Sequence, residues 1–174
     1  MEVGFGKDEF LLELAAVRPD LDFLAIDYSV PRAMSYLRKI ERRRLTNVRV
    51  LVEHAMLAVS LCLADASVRE FFVLFSDPWP KARHAAHRLV APWFAREAAR
   101  ALVPGGKVTL ATDHEPYRDG ILAVLEGEPR FRNVLGPGGS GPRPDGYPAT
   151  IFERRWLGKG KVVWYMQFVR EGGS

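Results

Sequence analysis

The stretch Glu70-Phe71-Phe72-Val73-Leu74-Phe75-Ser76-Asp77-Pro78-Trp79-Pro80 decides the fold. Glu70 to Phe75 is a near-continuous apolar run, the pattern of a strand buried on both faces. Such a strand needs helices above and below it. The run ends abruptly at Asp77-Pro78, so the chain leaves the strand through a stiff, polar turn.

Working outward, apolar runs of strand type alternate with helix-period segments. Strands are predicted at Glu2 to Phe5, Leu21 to Ile26, Val48 to Val52, Glu70 to Phe75, Lys107 to Ala111, Phe131 to Leu135 and Val162 to Val169. Helices are predicted at Phe10 to Val17, Pro31 to Arg43, Ala55 to Leu63, Ala91 to Leu102 and Glu115 to Glu126. The first turns Phe10, Leu11, Leu14 and Val17 inward; the second turns Met34, Leu37 and Ile40 inward and has Pro31 at its start. Pro104-Gly105-Gly106 stops the fourth helix, and the Gly- and Pro-rich stretch Gly136 to Ala149 reads as a loop. Repeated strand–helix alternation is the signature of a doubly wound α/β sheet. Ligands bind such a sheet at the carboxyl ends of its strands, where the strand order reverses.

A length of 174 residues fits a single domain spanning 1–174. Hydrophobic residues at 48% and charged residues at 26% exclude a disordered tail, a collagen-like repeat and a disulfide scaffold. The apolar runs fall well below the roughly 20 residues of a membrane span, and no signal peptide is visible. Cys62 is the only cysteine, so no internal disulfide forms, and its helical setting makes it a core residue. A cytoplasmic protein, monomer or homodimer, with no membrane partner, fits these features. The net charge of +4 permits a polyanionic partner without demanding one. The basic residues cluster at Arg38 to Arg44, Lys81 to Arg88, and Arg154 to Lys161, each also readable as a solvated face.

Four segments carry chemistry. Glu2-Val3-Gly4-Phe5-Gly6-Lys7-Asp8 is a glycine turn from strand to helix, where a ligand can approach the backbone closely. Asp27, at the end of the next strand, either holds two ribose hydroxyls or caps the helix from Pro31. Ser76-Asp77-Pro78-Trp79-Pro80-Lys81 with Arg83, His84, His87 and Arg88 sets a carboxylate beside an aromatic face and a basic rim. That combination suits a base plus phosphates. Thr112-Asp113-His114-Glu115 offers a carboxylate that either caps the next helix or faces Asp77 across the cleft. Thr150-Ile151-Phe152-Glu153-Arg154-Arg155 brings a hydroxyl, a carboxylate and two guanidiniums, or is a short amphipathic helix with exposed charges. His84 and His87 lack a third clustered histidine or a cysteine, so no zinc site is read there.

These motifs, in this order over nearly the whole chain, resemble the bacterial tRNA (guanine-N7)-methyltransferases. The Asp77-Pro78-Trp79-Pro80-Lys81 and Thr150-x-x-Glu153 runs carry the resemblance most specifically. It implies a Rossmann-like, mostly parallel seven-stranded methyltransferase sheet and S-adenosylmethionine as methyl donor. It implies tRNA as substrate, methylated at N7 of guanine 46 in the variable loop. By position, Glu2, Gly4, Gly6, Asp27, Glu53, His54 and Asp77 match donor-binding sites, and Asp77 the catalytic one. Lys81, Arg83, His84, Arg88, Asp113, Thr150, Glu153 and Arg154 match the substrate-binding stretches.

Three features depart from the family pattern. Asp8 stands where the glycine motif ends in a third glycine. It either faces the donor's carboxylate and repels it, or points outward and favours the helix N-terminus. Glu53-His54 replaces a Gly-Asp pair, and the chain begins almost at the glycine motif, so the first strand is expected to be short. A relative that binds tRNA without efficient methyl transfer is the alternative these departures suggest.

Overall fold

The computed structural model describes residues 1–172. The elements run β1 (Glu2–Val3), α1 (Phe10–Val17), β2 (Phe23–Asp27), α2 (Val30–Arg43), β3 (Val48–Val52), α3 (Ala55–Leu61) and β4 (Val68–Leu74). A 3₁₀ turn (Ala82–His87) leads to α4 (Pro92–Ala101), β5 (Leu102–Thr112), α5 (Glu115–Glu126), β6 (Phe131–Asn133), α6 (Ile151–Leu157) and β7 (Trp164–Arg170). The strands form one seven-stranded sheet in the order β3-β2-β1-β4-β5-β7-β6. The first five are parallel, and β7 runs antiparallel to both neighbours. The expected Rossmann-like sheet with a short first strand is what forms.

β4 shows why both faces are covered. Its side chains alternate, as a pleated strand requires. Phe71 and Val73 enter one core with Phe94, Ala98, Ile121 and Met166 from the side of α4 and α5. Phe72 and Leu74 enter the other with Phe10, Leu11 and Tyr36 from α1 and α2. Phe71 meets Phe94 edge-on at 6.1 Å and Phe72 meets Phe10 at 4.9 Å, so each layer has an aromatic anchor on this strand.

Local chemistry sets the helix limits. Ser29 caps α2 by accepting the Arg32 N–H, and Pro31 occupies the first turn. Arg42 and Arg43 sit in the last turn, favourable against the helix dipole. α3 ends against the Arg100 guanidinium of α4, which donates to the carbonyls of Val59 at 3.1 Å and Leu63 at 2.9 Å. The same guanidinium reaches Glu97 at 2.8 Å and Asp65 at 2.5 Å. One side chain therefore closes the end of α3 and the turn into β4.

Several expectations are corrected. Pro104-Gly105-Gly106 does not separate helix from strand; it lies inside β5, which starts at Leu102. The strand bulges there, because Val68 pairs with Leu102 while Glu70 pairs with Lys107. A Cβ on Gly106 would sit 2.8 Å from the Val103 carbonyl and 3.0 Å from that of Arg69, so the bulge needs a residue without one. In α2 the buried positions are Ala33, Tyr36 and Ile40, while Met34 and Leu37 are exposed. Val17, expected inward, is also exposed, and Cys62 is an exposed residue at the end of α3 rather than a core residue. The 136–149 segment is a loop as expected, tied down by a bridge between Gly141 and Tyr165. Among the described residues no helix is long and apolar enough to cross a membrane.

Arg100→Ala removes the guanidinium that closes α3 and leaves several carbonyls short of a partner. The expected cost is about 2 kcal/mol of folding stability, read from urea denaturation. A loss below about 0.5 kcal/mol, the range of ordinary surface changes, would show that the clamp is dispensable.

Candidate active site

The chain order runs outward from β1 to β3 on one side and from β4 onward on the other, so the reversal lies between β1 and β4. A cleft of about 530 Å³ opens at the carboxyl ends of the strands around that point. It is lined by Glu2, Gly4, Gly6, Asp27, Glu53, His54 and Asp77, so every expected donor-binding residue meets there. Of the expected substrate residues only Arg88 lines it.

The glycine turn is built on left-handed backbone at Gly4 (φ +80°) and Gly6 (φ +57°). Gly4 donates its N–H to the Ile26 carbonyl at 2.7 Å, which lays the turn across the end of β2. Asp27 fixes it from the other side. One carboxylate oxygen accepts the Gly6 N–H at 3.0 Å; the other accepts the Ser29 N–H at 2.9 Å and pairs with Arg32 at 3.3 Å. Asp27 is buried and tied into the scaffold, so it joins the turn to the start of α2.

Glu2 is the opposite case. It is buried, and its Oε2 has no hydrogen-bond partner. Burial, reinforced by the nearby Asp8 charge, pushes its carboxyl up to about 8. A buried acid with an orphaned oxygen on a cleft wall suits a cationic ligand group, which S-adenosylmethionine offers in its ammonium and sulfonium. The open space at Gly4, where a Cβ would meet no atom within 4 Å, leaves the backbone accessible to such a ligand. At the far wall, Glu53 folds back to accept the N–H of His54 at 2.6 Å, and His54 is exposed at the start of α3.

Asp8 lines the cleft, as one expectation had it, and also holds the start of α1. It is buried rather than turned outward, and its carboxylate is bound by backbone. Oδ1 accepts the N–H groups of Glu9 at 2.7 Å and Phe10 at 3.1 Å; Oδ2 accepts the N–H of Ile151 at 2.8 Å.

Asp77 is exposed at the cleft mouth, and among the described residues its carboxylate has no hydrogen-bond or ion-pair partner. The turn around it is held by others. Arg88 donates to the carbonyls of Pro78 at 2.9 Å and Trp79 at 3.3 Å and lies over the Tyr117 ring. Ser76 and Tyr117 share a hydrogen bond at 3.0 Å. Phe75 and Trp79 both adopt positive φ, a conformation that these contacts sustain. Trp79 packs against His84 and His87, while Lys81 and Arg83 are exposed on the rim.

The remaining substrate candidates form a second group. Thr150 caps α6 by accepting the Glu153 N–H at 2.9 Å. Glu153 is buried and accepts hydrogen bonds from Tyr165 at 3.0 Å and Arg143 at 3.2 Å. Arg154 and Arg155 are exposed on the outer face, so α6 is a short amphipathic helix that also buries its acid. Asp113 neither caps α5 nor lines the cleft. His114 is the cap, accepting the Tyr117 N–H at 3.2 Å, and Asp113 pairs with Lys161 at 2.9 Å. Phe152 reaches back to stack on Phe75 at 5.8 Å, which brings α6 to the cleft edge.

Sequence reasoning missed Arg143, Tyr165, Tyr117 and Phe75 as supports of the site. Arg143 stands in the Gly- and Pro-rich loop, where nothing local signals a buried acid ten residues on.

Comparison with known proteins agrees with this architecture. Residues 1–166 match the family described as "Putative methyltransferase". The fold is similar to that of a methyltransferase from Pyrococcus furiosus, with a TM-score of 0.65 at 16% identity, covering 98% of this chain and 74% of that one. A SAM-dependent O-methyltransferase from Thermotoga maritima superposes with a TM-score of 0.63 at 14% identity, covering 99% of this chain and 59% of that one. In sequence, the tRNA (guanine-N(7)-)-methyltransferase of Leifsonia xyli subsp. xyli is 42% identical over 168 residues, 97% of this chain and 74% of that protein. The enzyme of the same name from Stutzerimonas stutzeri is 40% identical over 169 residues, 97% of this chain and 71% of that protein. At such identity over nearly the whole chain, the chain belongs to the tRNA (guanine-N(7)-)-methyltransferase family.

Proposed function

We propose that this protein transfers a methyl group from S-adenosylmethionine to N7 of guanine 46 in the variable loop of tRNA, acting in the cytoplasm. The observation that carries the reading is the cleft itself. It gathers Glu2, the glycine turn, Asp27 and Asp77 at the reversal of strand order, beside a basic rim.

S-adenosylmethionine, when bound, supplies a methyl group activated on a sulfonium. Glu2 would hold the cationic end, Gly4 and Gly6 would allow close approach, and Asp27 and Glu53 would stand toward the nucleoside end. Guanine N7 carries a lone pair and no proton, so no strong base is needed, and positioning supplies most of the acceleration. Asp77 is the group suited to that task. An unpaired carboxylate at the cleft mouth can accept from the donor edge of guanine and stabilise the positive charge that grows on the purine. Trp79 offers an aromatic face beside it. The target base has to leave its pairing to enter such a cleft. Lys81, Arg83 and Arg154 are exposed cations placed to meet the RNA backbone.

The direct test is methylation of an unmodified tRNA transcript by the purified chain, with the modified position mapped by chemical cleavage. Incorporation that disappears when guanine 46 is replaced supports the assignment. Folded protein that binds the transcript but not S-adenosylmethionine would instead favour the tRNA-binding relative.

Three variants probe the residues. Asp77→Ala is expected to lower transfer at least about a hundredfold, the scale of losing one transition-state contact, with tRNA affinity largely kept. Full turnover in that variant would remove Asp77 from the chemistry. Lys81→Ala should weaken tRNA binding and reduce the log–log salt slope by about one; an unchanged slope would place Lys81 off the phosphates. Glu2→Gln separates stability from binding. An unfolded glutamate releases its proton near 4.5 but the folded one near 8, so the folded state holds the extra proton between them. Stability from Glu2 is therefore complete below that window and lost as pH rises through it, at about 1.4 kcal/mol per pH unit at most. Glu2→Gln should flatten this fall between pH 5 and 8 in urea titrations and weaken S-adenosylmethionine binding. Parallel slopes in the two proteins would refute the buried proton.

A further inference from the structure

Asp8 is placed differently from every other acid of the site. It stands in the glycine turn that faces the donor pocket, yet one of its oxygens binds the first residue of a helix 143 positions later. The two oxygens divide cleanly. Oδ1 holds Glu9 and Phe10, the entry into α1. Oδ2 holds Ile151, the first residue of α6, beside the capping Thr150. The carboxylate is buried, so neither bond competes with bulk water.

α6 depends on such anchors. It has seven residues, too few to be stable by itself. Its fixed points are the Thr150 cap, the Glu153 contacts with Arg143 and Tyr165, the Phe152–Phe75 stack, and Asp8. Among the hydrogen bonds of the described residues, the Asp8 bond is the one that joins it to the glycine turn. A ligand that orders the turn orders Asp8, and through Oδ2 the start of α6. The same helix carries exposed Arg154 and Arg155.

We propose that Asp8 is a positioning residue that couples the donor pocket to α6, so that occupancy of the pocket by the donor and docking of RNA on α6 favour each other. The inference rests on the methyltransferase reading above. Asp8 lines the cleft, but both of its carboxylate oxygens are taken by backbone N–H groups. It acts through the backbone of α1 and α6, where a glycine could supply no acceptor. Coupling of this kind is reciprocal, so RNA on α6 would tighten the donor by the same factor.

Two substitutions cut the link from opposite ends. Asp8→Ser retains a side chain that caps α1 well but is too short to serve both helices. Ile151→Pro deletes the N–H that Oδ2 accepts, along with an exposed side chain, and sets the ring Cδ against that oxygen so that the carboxylate must turn away. Proline is well tolerated at the first position of a helix, and Thr150 at φ −73° and ψ 160° already has the conformation required before proline. The probe is S-adenosylhomocysteine, used in hydrogen-exchange measurements on the α6 amides and in calorimetry with and without unmodified tRNA transcript. In the unaltered protein it should slow exchange in α6 and bind at least about fivefold tighter with tRNA present. In each variant both effects should shrink to within about twofold, and the double variant should be no worse than either single one. Undiminished α6 protection and undiminished tRNA enhancement in Ile151→Pro would overturn the coupling even if Asp8→Ser failed to fold. Absence of any S-adenosylhomocysteine binding to the unaltered protein would overturn the donor reading and the coupling with it. Binding without coupling overturns the coupling alone.

Discussion

Backbone N–H groups at the carboxyl ends of parallel strands must find acceptors as the chain turns away from the sheet, and this requirement shapes the whole site. Buried donors left unpaired are costly, so acceptors are supplied wherever the turns are covered. Here two carboxylates meet the need. Asp27 takes the N–H groups of Gly6 and Ser29, and Asp8 takes those of Glu9, Phe10 and Ile151. Between them they tie the glycine turn to α1, α2 and α6. The sheet positions these turns, but the carboxylates set their shape.

Much of the fold was readable because the sheet is covered on both sides. The β4 run announced a strand with two buried faces, and α5 stands where its period and flanking turns placed it. The errors share one cause: local pattern does not report which face is covered. Met34 and Leu37 follow a helical period, yet the residues facing the sheet in α2 are Ala33, Tyr36 and Ile40, because Tyr36 packs on Phe5. Cys62 follows the last residue of α3, where the helix is already leaving the core. The glycines in β5 suggested a turn, but they permit a bulge where a Cβ would collide with two carbonyls.

The site was legible as a set of strand ends and less so as a set of contacts. Strand ends are local in sequence, so Asp27, Glu53 and Asp77 could be placed on one cleft from topology, whereas Glu2, at the start of β1, came from the family resemblance. The partners that define each acid's role are distant. Glu153 pairs with Tyr165 and Arg143, Asp113 with Lys161, and Asp8 with Ile151. Nothing in the spacing of those residues encodes the pairing. The choice for Asp8 between repelling the donor and facing solvent left out a third state, in which a distant backbone amide satisfies the carboxylate inside the protein.

The acids of the cleft thus separate by what already holds them. Asp8 and Asp27 are committed to backbone, and a ligand that stripped them of those bonds would have to replace every one. Glu2 has an orphaned oxygen in a buried position, a state the free protein tolerates only by keeping the carboxyl protonated near neutrality. Asp77 is held away from partners on a turn with two positive-φ residues, stiffened by prolines and braced by Arg88. Unsatisfied groups and strained backbone lower stability, and they persist where the surrounding structure holds them in place. In this cleft they fall on Glu2 and Asp77, whereas the satisfied acids fall on the frame. That division puts Asp8, at the end of the glycine motif, on the side of the frame. Placed among the frame acids, Asp8 adds a tie to α6, while its charge reinforces the upward shift of the Glu2 carboxyl.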